Sequence, residues 1–211
     1  MIHNKEKMIL DVSKKAIKRI KPLYRTLSYL KRRLKGVEEN SQLMTKKEIY
    51  FLLKVAGEGK DIIEVGVSTG QTTRRLSKKN QVIAIDPFIP GEDGLLMSRY
   101  LKDFHHEFLM NIKGRSVVFY NMTSMEAFDI WNKKIKRKVD GIFIDGEHSY
   151  EAVKQDSQWI AYIKNGGFIA FHDVEDESEI KNFVEKFIVP NYELIGKADT
   201  LWIFKKTQKK E

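Results

Sequence analysis

Cysteine is absent from this 211-residue chain. Its absence excludes disulfides, zinc–thiolate centres and thiol catalysis, and fits a reducing compartment. No run of about 18 apolar residues occurs, so no membrane span is expected. The first residues lack a contiguous apolar stretch and a small-residue cleavage site, so no secretory signal is expected. Together these absences predict a cytoplasmic protein. The phosphate-cradling pattern G-x-x-x-x-G-K-[ST] is missing too, which disfavours nucleoside triphosphatases of that type. There is no internal repeat and no low-complexity tract. What remains is a chain with 42% apolar residues, which fits one domain of ordinary size with a real core.

Acidic residues are scarce in one region. Residues 1–36 carry twelve Lys or Arg against Glu6 and Asp11, a net +10. The whole chain is +9, so the other 175 residues sum to −1. Basicity is therefore a local device, and the high pI by itself is no argument for nucleic acid. Apolar residues recur in this segment at Ile9, Val12, Ala16, Ile20, Leu23, Leu27, Leu30 and Leu34. Spacings of three and four make one helical stripe, which Pro22 divides or kinks. Gly36 suits a C-terminal stop. Such a segment suits packing on the domain or on a second copy in a homodimer. It also suits lying on the anionic inner surface of a membrane, where polybasic charge supports apolar insertion. RNA is the weaker expectation, because Tyr24 and Tyr29 are too few for a base-stacking platform. The expected organisation is a basic amphipathic segment over 1–36 and one domain over 37–211.

Strands and helices alternate along that domain. Strands are expected over 61–65, 81–85, 116–120, 141–144 and 167–171. Helices are expected over 46–56, 71–78, 95–112, 125–135, 151–163 and 178–188, with Ser149 capping the fifth. Residues 192–195 and 201–204 flank a short turn and predict an antiparallel hairpin. The fold class is α/β: a Rossmann-like, doubly wound, mostly parallel seven-stranded sheet with an antiparallel C-terminal hairpin and helices on both faces. Ligands in such sheets sit at the carboxyl ends of the strands. That rule singles out Glu64, Asp86, Asn121, Asp145 and His172.

The most informative segment is Asp61-Ile62-Ile63-Glu64-Val65-Gly66-Val67-Ser68-Thr69-Gly70. An apolar strand runs into an acid, then a glycine-bearing turn, then a helix start at Gln71. That order builds a nucleotide-cofactor cradle. Asp86 closes the next strand about 20 residues on, where a ribose-binding acid is expected. Two acids at adjacent strand ends suit a ligand with a ribose and a cationic end, not a pyrophosphate. A dinucleotide site would show G-x-G-x-x-G, whereas this chain has G-x-x-x-G.

Four motifs together resemble one family. They are Glu64-Val65-Gly66-Val67-Ser68-Thr69-Gly70, Ala84-Ile85-Asp86-Pro87-Phe88, Phe143-Ile144-Asp145-Gly146-Glu147-His148-Ser149-Tyr150, and Gly166-Gly167-Phe168-Ile169-Ala170-Phe171-His172-Asp173. Order and placement resemble the class I S-adenosylmethionine-dependent methyltransferases, most closely the small macrocin O-methyltransferase and cephalosporin-hydroxylase-like group, over about residues 45–205. The resemblance implies an enzyme that moves a methyl group to a hydroxyl of a small molecule or glycan. It implies S-adenosylmethionine held by Glu64, Gly66, Ser68, Thr69, Gly70, Asp86, Thr123, Ser124 and Asp145. In metal-dependent relatives, positions matching Asp145, His172 and Asp173 hold a divalent cation, usually magnesium. The His172–Asp173 pair departs from the two oxygen donors of many relatives, and imidazole is an unusual partner for magnesium. His148 is the first candidate for general base and His172 the second, with Asp145 beside them. His105, His106, Trp131, Trp159 and Trp202 are expected to pack rather than react. Tyr150 suits the acceptor pocket or the helix start, and the acidic loop 87–94 suits a lid. Two other readings compete: a cofactor-binding or membrane-surface module without catalysis, and an RNA methyltransferase. No Asn-Pro-Pro-Tyr-type motif follows the fourth strand, which counts against methylation of base amines.

Overall fold

The computed structural model describes residues 44–89 and 101–207. The basic segment 1–36, most of loop 87–94 and the start of the helix expected over 95–112 lie outside the described residues.

Five apolar segments form parallel strands: β1 (Asp61–Val65), β2 (Gln81–Ile85), β3 (Val117–Tyr120), β4 (Val139–Ile144) and β5 (Ile163–Phe171). The hairpin follows as β6 (Glu193–Ala198) and β7 (Leu201–Lys205). The sheet order is β3-β2-β1-β4-β5-β7-β6. β7 lies between β5 and β6 and runs antiparallel to both. The expected seven-stranded sheet is present, and the second strand of the hairpin, not the first, joins the parallel core. The chain winds outward from β1 to β3 and then returns to β4 on the other side of β1. That reversal opens a crevice at the carboxyl ends of β1 and β4.

Successive side chains on a strand point to opposite faces, so each strand feeds two cores. On one face Ile62, Val82 and Phe143 pack against Leu52 and Ala56 of α1 (Lys46–Ala56), Leu76 of α2 (Gln71–Leu76) and Phe108 of α3 (Leu101–Ile112). On the other, Ile63, Ile83 and Ile142 pack against Ala127 of α4 (Ser124–Ile130), Val153 of α5 (Tyr150–Asp156), and Ile180 and Phe183 of α6 (Ser178–Phe183). A parallel sheet covered on both faces explains why β1 and β2, past their first residues Asp61 and Gln81, are apolar except at Glu64.

Three helix ends differ from expectation. The helix expected over 125–135 is α4 followed by a π-helical turn, Trp131–Ile135. The extra residue turns Trp131 inward, where it is buried and its indole N–H donates to the Arg137 carbonyl. The helix expected over 151–163 is α5 followed by a tighter 3-10 stretch, Ser157–Tyr162, that buries Trp159, Ile160 and Tyr162. A π-helical turn, Val184–Ile188, likewise continues α6. β5 starts four residues earlier than expected. Its polar, glycine-rich start reads as a turn, but Ile163 pairs with Val139 before a register shift at the start of β4.

Candidate functional site

β1 ends in a turn that is held from several sides. Gly66 (φ 80°) and Gly70 (φ 77°) have left-handed backbone, as does the non-glycine Ser68 (φ 47°). A Cβ on Gly66 would lie 2.0 Å from the Asp145 carbonyl oxygen, so this glycine lets β1 cross the end of β4. Gly70 instead makes room for the Phe108 ring. The Asp86 carboxylate fastens the turn to β2. Its Oδ2 accepts the Val67 and Ser68 amides at 3.0 and 3.2 Å, and its Oδ1 accepts the Phe88 amide at 2.7 Å. A carboxylate has about four acceptor positions, so one remains for a ligand hydroxyl.

Beside this turn lies a cavity of about 430 Å³. Gly66, Ser68, Asp86, Thr123, Ser124 and Asp145 line it, and so do Phe88, Met125, Glu147, Gln155 and Asp156. Glu64, Thr69 and Gly70 are not part of its lining. Thr69 meets Asn111 through its carbonyl. Glu64 is 1% exposed behind the turn, and its Oε2 has no hydrogen-bond partner. Burial holds its carboxyl well above the usual carboxylate range. Thr73 pulls the other way, and the charges of Asp145 and Asp86 add to the rise. Thr123 caps α4 in a reciprocal box with Glu126.

Asp145, at the end of β4, connects the cavity to a second cluster. His172 at the end of β5 is 5% exposed. Its Nδ1 lies 3.0 Å from both Asp145 Oδ1 and Asp173 Oδ2, and its Nε2 faces Glu48 Oε2 at 3.4 Å. Burial opposes a charge on this ring, yet hydrogen bonds to Asp145 and Asp173 overcome it and push the pKa up to about 11. The two carboxylates thus favour the protonated ring, a form that offers no lone pair to a metal. His148 lies nearer the surface. Its Nε2 is 3.3 Å from Asp173 Oδ2 and its Nδ1 is 3.3 Å from Glu177 Oε1. The Asp173 hydrogen bond raises its pKa against partial burial. Between the two histidines, the Asp173 carboxyl is held well below its usual range although burial opposes this. Asp173 itself has left-handed backbone, φ 55°, a strain that tends to collect at working sites.

Among the described residues, the donors close enough to share a cation are Asp145, His148 and Asp173, whose ligand atoms lie within 4.8 Å of one another. The structure thus brings His148 into the group where the sequence pointed to His172. Sequence reasoning missed two buried acids, Glu48 and Asp156, and Gln155 beside the second. Glu48 on α1 accepts Thr200 N–H and Oγ1–H at 2.9 and 2.8 Å, across 152 residues. Asp156 and Gln155 reach the cavity from α5. The one signal for Asp156 was its spacing from Val153, three residues apart on the buried side of a helix capped by Ser149. His105 stacks on Phe88 at 4.7 Å, in line with a packing role, and Tyr150, the first residue of α5, packs on Phe183 and Phe187 and is not part of the cavity lining.

Fold and site define a Rossmann-like domain with an acid-lined ligand crevice at its topological switch point. The chain belongs to the methyltransferase-domain family, whose profile matches residues 63–174. An uncharacterized protein of Acanthamoeba polyphaga mimivirus is 28% identical over 121 residues, 54% of this chain and 51% of that protein. The chain thus spans about half the length of this curated relative. Among solved structures, the O-methyltransferase NovP superposes with a TM-score of 0.57 at 18% identity, over 80% of this chain and 84% of that one. The O-methyltransferase from Bacillus cereus in complex with SAH gives 0.55 at 15% identity, over 85% and 91%. At such identities the likeness is one of fold. No helix among the described residues is long and apolar enough to cross a membrane.

Proposed function

We propose that this chain transfers a methyl group from S-adenosylmethionine to a hydroxyl oxygen of a small molecule or glycan. The observation that carries the reading is the cavity that runs from Asp86, at the end of β2, to Asp145, at the head of the His148–Asp173 cluster. The cofactor supplies an electrophilic methyl carbon on a sulfonium and departs as a thioether.

The chain's own residues supply position and a proton acceptor. Asp86 has one acceptor position left for a ribose hydroxyl. The unpartnered Glu64 Oε2, behind the glycine turn, leaves a hydrogen-bonding position open on the methionine side. Alignment of this kind is worth several kcal/mol, up to about 7–11 in the best cases. His148, once neutral, takes the acceptor's proton on Nε2, and Asp173 stabilises the imidazolium that forms. Such a base adds roughly 10²–10⁴-fold. His172, buried and already charged, fixes Asp145 and Asp173 and takes no proton. A second reading comes from the Asp145, His148 and Asp173 donors, which fit a divalent cation. A cation held there would lower the acceptor hydroxyl's pKa.

Calorimetry of S-adenosylhomocysteine into the protein, with magnesium and with EDTA, tests both readings. Micromolar binding is expected, weakened by about 10- to 100-fold in Asp86→Asn, which loses the charge-assisted hydrogen bonds. No binding in any buffer would sink the methyl-transfer reading. Turnover on an acceptor panel that survives EDTA would remove the cation. The basic segment 1–36 supports a further part of the reading, that acceptor and enzyme meet at an anionic membrane surface on the cytoplasmic side. Retention of RNA with a steep salt dependence would instead favour an RNA substrate.

A further inference from the structure

Asp156 is a buried carboxyl with no ion-pair partner among the described residues. It is the last residue of α5, 5% exposed, yet part of the cavity lining. Burying a carboxyl in an apolar setting is costly unless it is used. Its surroundings orient it. The Trp159 indole N–H donates to Ser124 Oγ at 3.0 Å. Ser124 therefore keeps its own O–H, close enough to the Asp156 carboxyl to act on its charge. Nearby, a Cβ on Gly146 would come within 3.1 Å of Asp156 Oδ2, so the absent side chain keeps this oxygen uncrowded. Ser124 and Gly146 both line the same cavity. Were Asp86 to hold the ribose, the base would reach toward the starts of α4 and α5, where Met125 and Ala152 line the same cavity.

We propose that Asp156 reads the base of the nucleoside cofactor, its carboxyl accepting a hydrogen bond from the exocyclic 6-amino group of adenine. The assignment rests on the methyl-transfer reading above. Burial pushes the Asp156 carboxyl up to about 7, with the Ser124 hydroxyl opposing and Glu147 adding to the rise. Near neutral pH the group thus has a protonated form with one O–H donor and one carbonyl acceptor. That pair matches the amide of asparagine, which meets adenine through its 6-amino group and a neighbouring ring nitrogen. A carboxyl in either protonation state can accept from the amine. A base without the amine leaves the buried acceptor unmet, and that loss is what discriminates.

The test compares S-adenosylhomocysteine with its analogue bearing hydrogen in place of the 6-amino group, by calorimetry near pH 7. Wild-type protein is expected to prefer the natural ligand by at least about tenfold, the effect of one buried hydrogen bond. Asp156→Asn is expected to keep the preference, because its amide still offers an acceptor. Asp156→Ala is expected to bind both ligands equally. Equal binding by wild-type protein, or a full preference retained in Asp156→Ala, overturns the proposal. If Asp156→Ala binds neither ligand, Asp156→Asn decides: a kept preference supports the proposal, and a lost one overturns it. Wild-type protein that binds neither ligand fails the methyl-transfer reading itself, and this assignment falls with it.

Discussion

At Gly66 a single methyl group separates two strands from collision. Alanine there would meet the Asp145 carbonyl and would also have to hold left-handed backbone. Gly66→Ala should cost on the order of 3 kcal/mol or more, seen as a lower urea midpoint. An unchanged midpoint would mean that β1 and β4 part easily. Asp156 makes a prediction of the opposite sign. Its folded pKa of about 7 lies above the ordinary 3.8. Between these values the folded state holds a proton that the unfolded chain has released, so this group's contribution falls as pH rises and levels off above 7. Asp156→Asn removes the titration. Its stability relative to wild type should therefore improve from pH 4 to pH 8 by on the order of a few kcal/mol, read from urea unfolding at both pH values. A pH-independent difference would show that the carboxyl is ionised in the fold.

At the scale of elements, helix starts were more legible than helix ends. Thr45 and Thr123 each stand three residues before a glutamate, and each forms a reciprocal cap. The two caps differ in reach. Thr123 is tied to Glu126, whereas Thr45 also donates to Asp199 at 2.7 Å in the β6–β7 turn. Thr123→Ala should cost about 1 kcal/mol, the usual value of a cap. Thr45→Ala should cost more, because it also loosens the hairpin; thermal melts of the pair check the order. Strand ends carried the site legibly, because apolar runs stop at Glu64, Asp86, Asp145 and His172. The sequence did not tell which way each ring turns. His172 sits inward because Glu48, on a helix far away in sequence, waits behind it; His148 sits outward between two carboxylates. Nothing local encodes those partners. Asp156 was equally hidden, since an acid at the end of a helix reads as solvated until the fold closes over it.

At the scale of the molecule, charge and chemistry are separated along the chain. The net +10 of residues 1–36 stands apart from a remainder of −1. Removing residues 1–36 should abolish cosedimentation with vesicles containing anionic lipid and leave S-adenosylhomocysteine binding intact. Vesicle binding that persists after the deletion would reject membrane attachment through this segment.

The placement of β7 also sets a timetable. It is the last strand in the sequence, yet it inserts between β5 and β6, and the turn before it brings Thr200 to Glu48, which faces His172. A ribosome must therefore deliver nearly the whole domain before the second cluster can lock. Closing so long a loop makes this a late event in folding. Until then β5 presents a bare edge, the kind that pairs with the wrong neighbour. The nascent chain is thus most exposed to misassembly in the interval just before the His172 cluster closes.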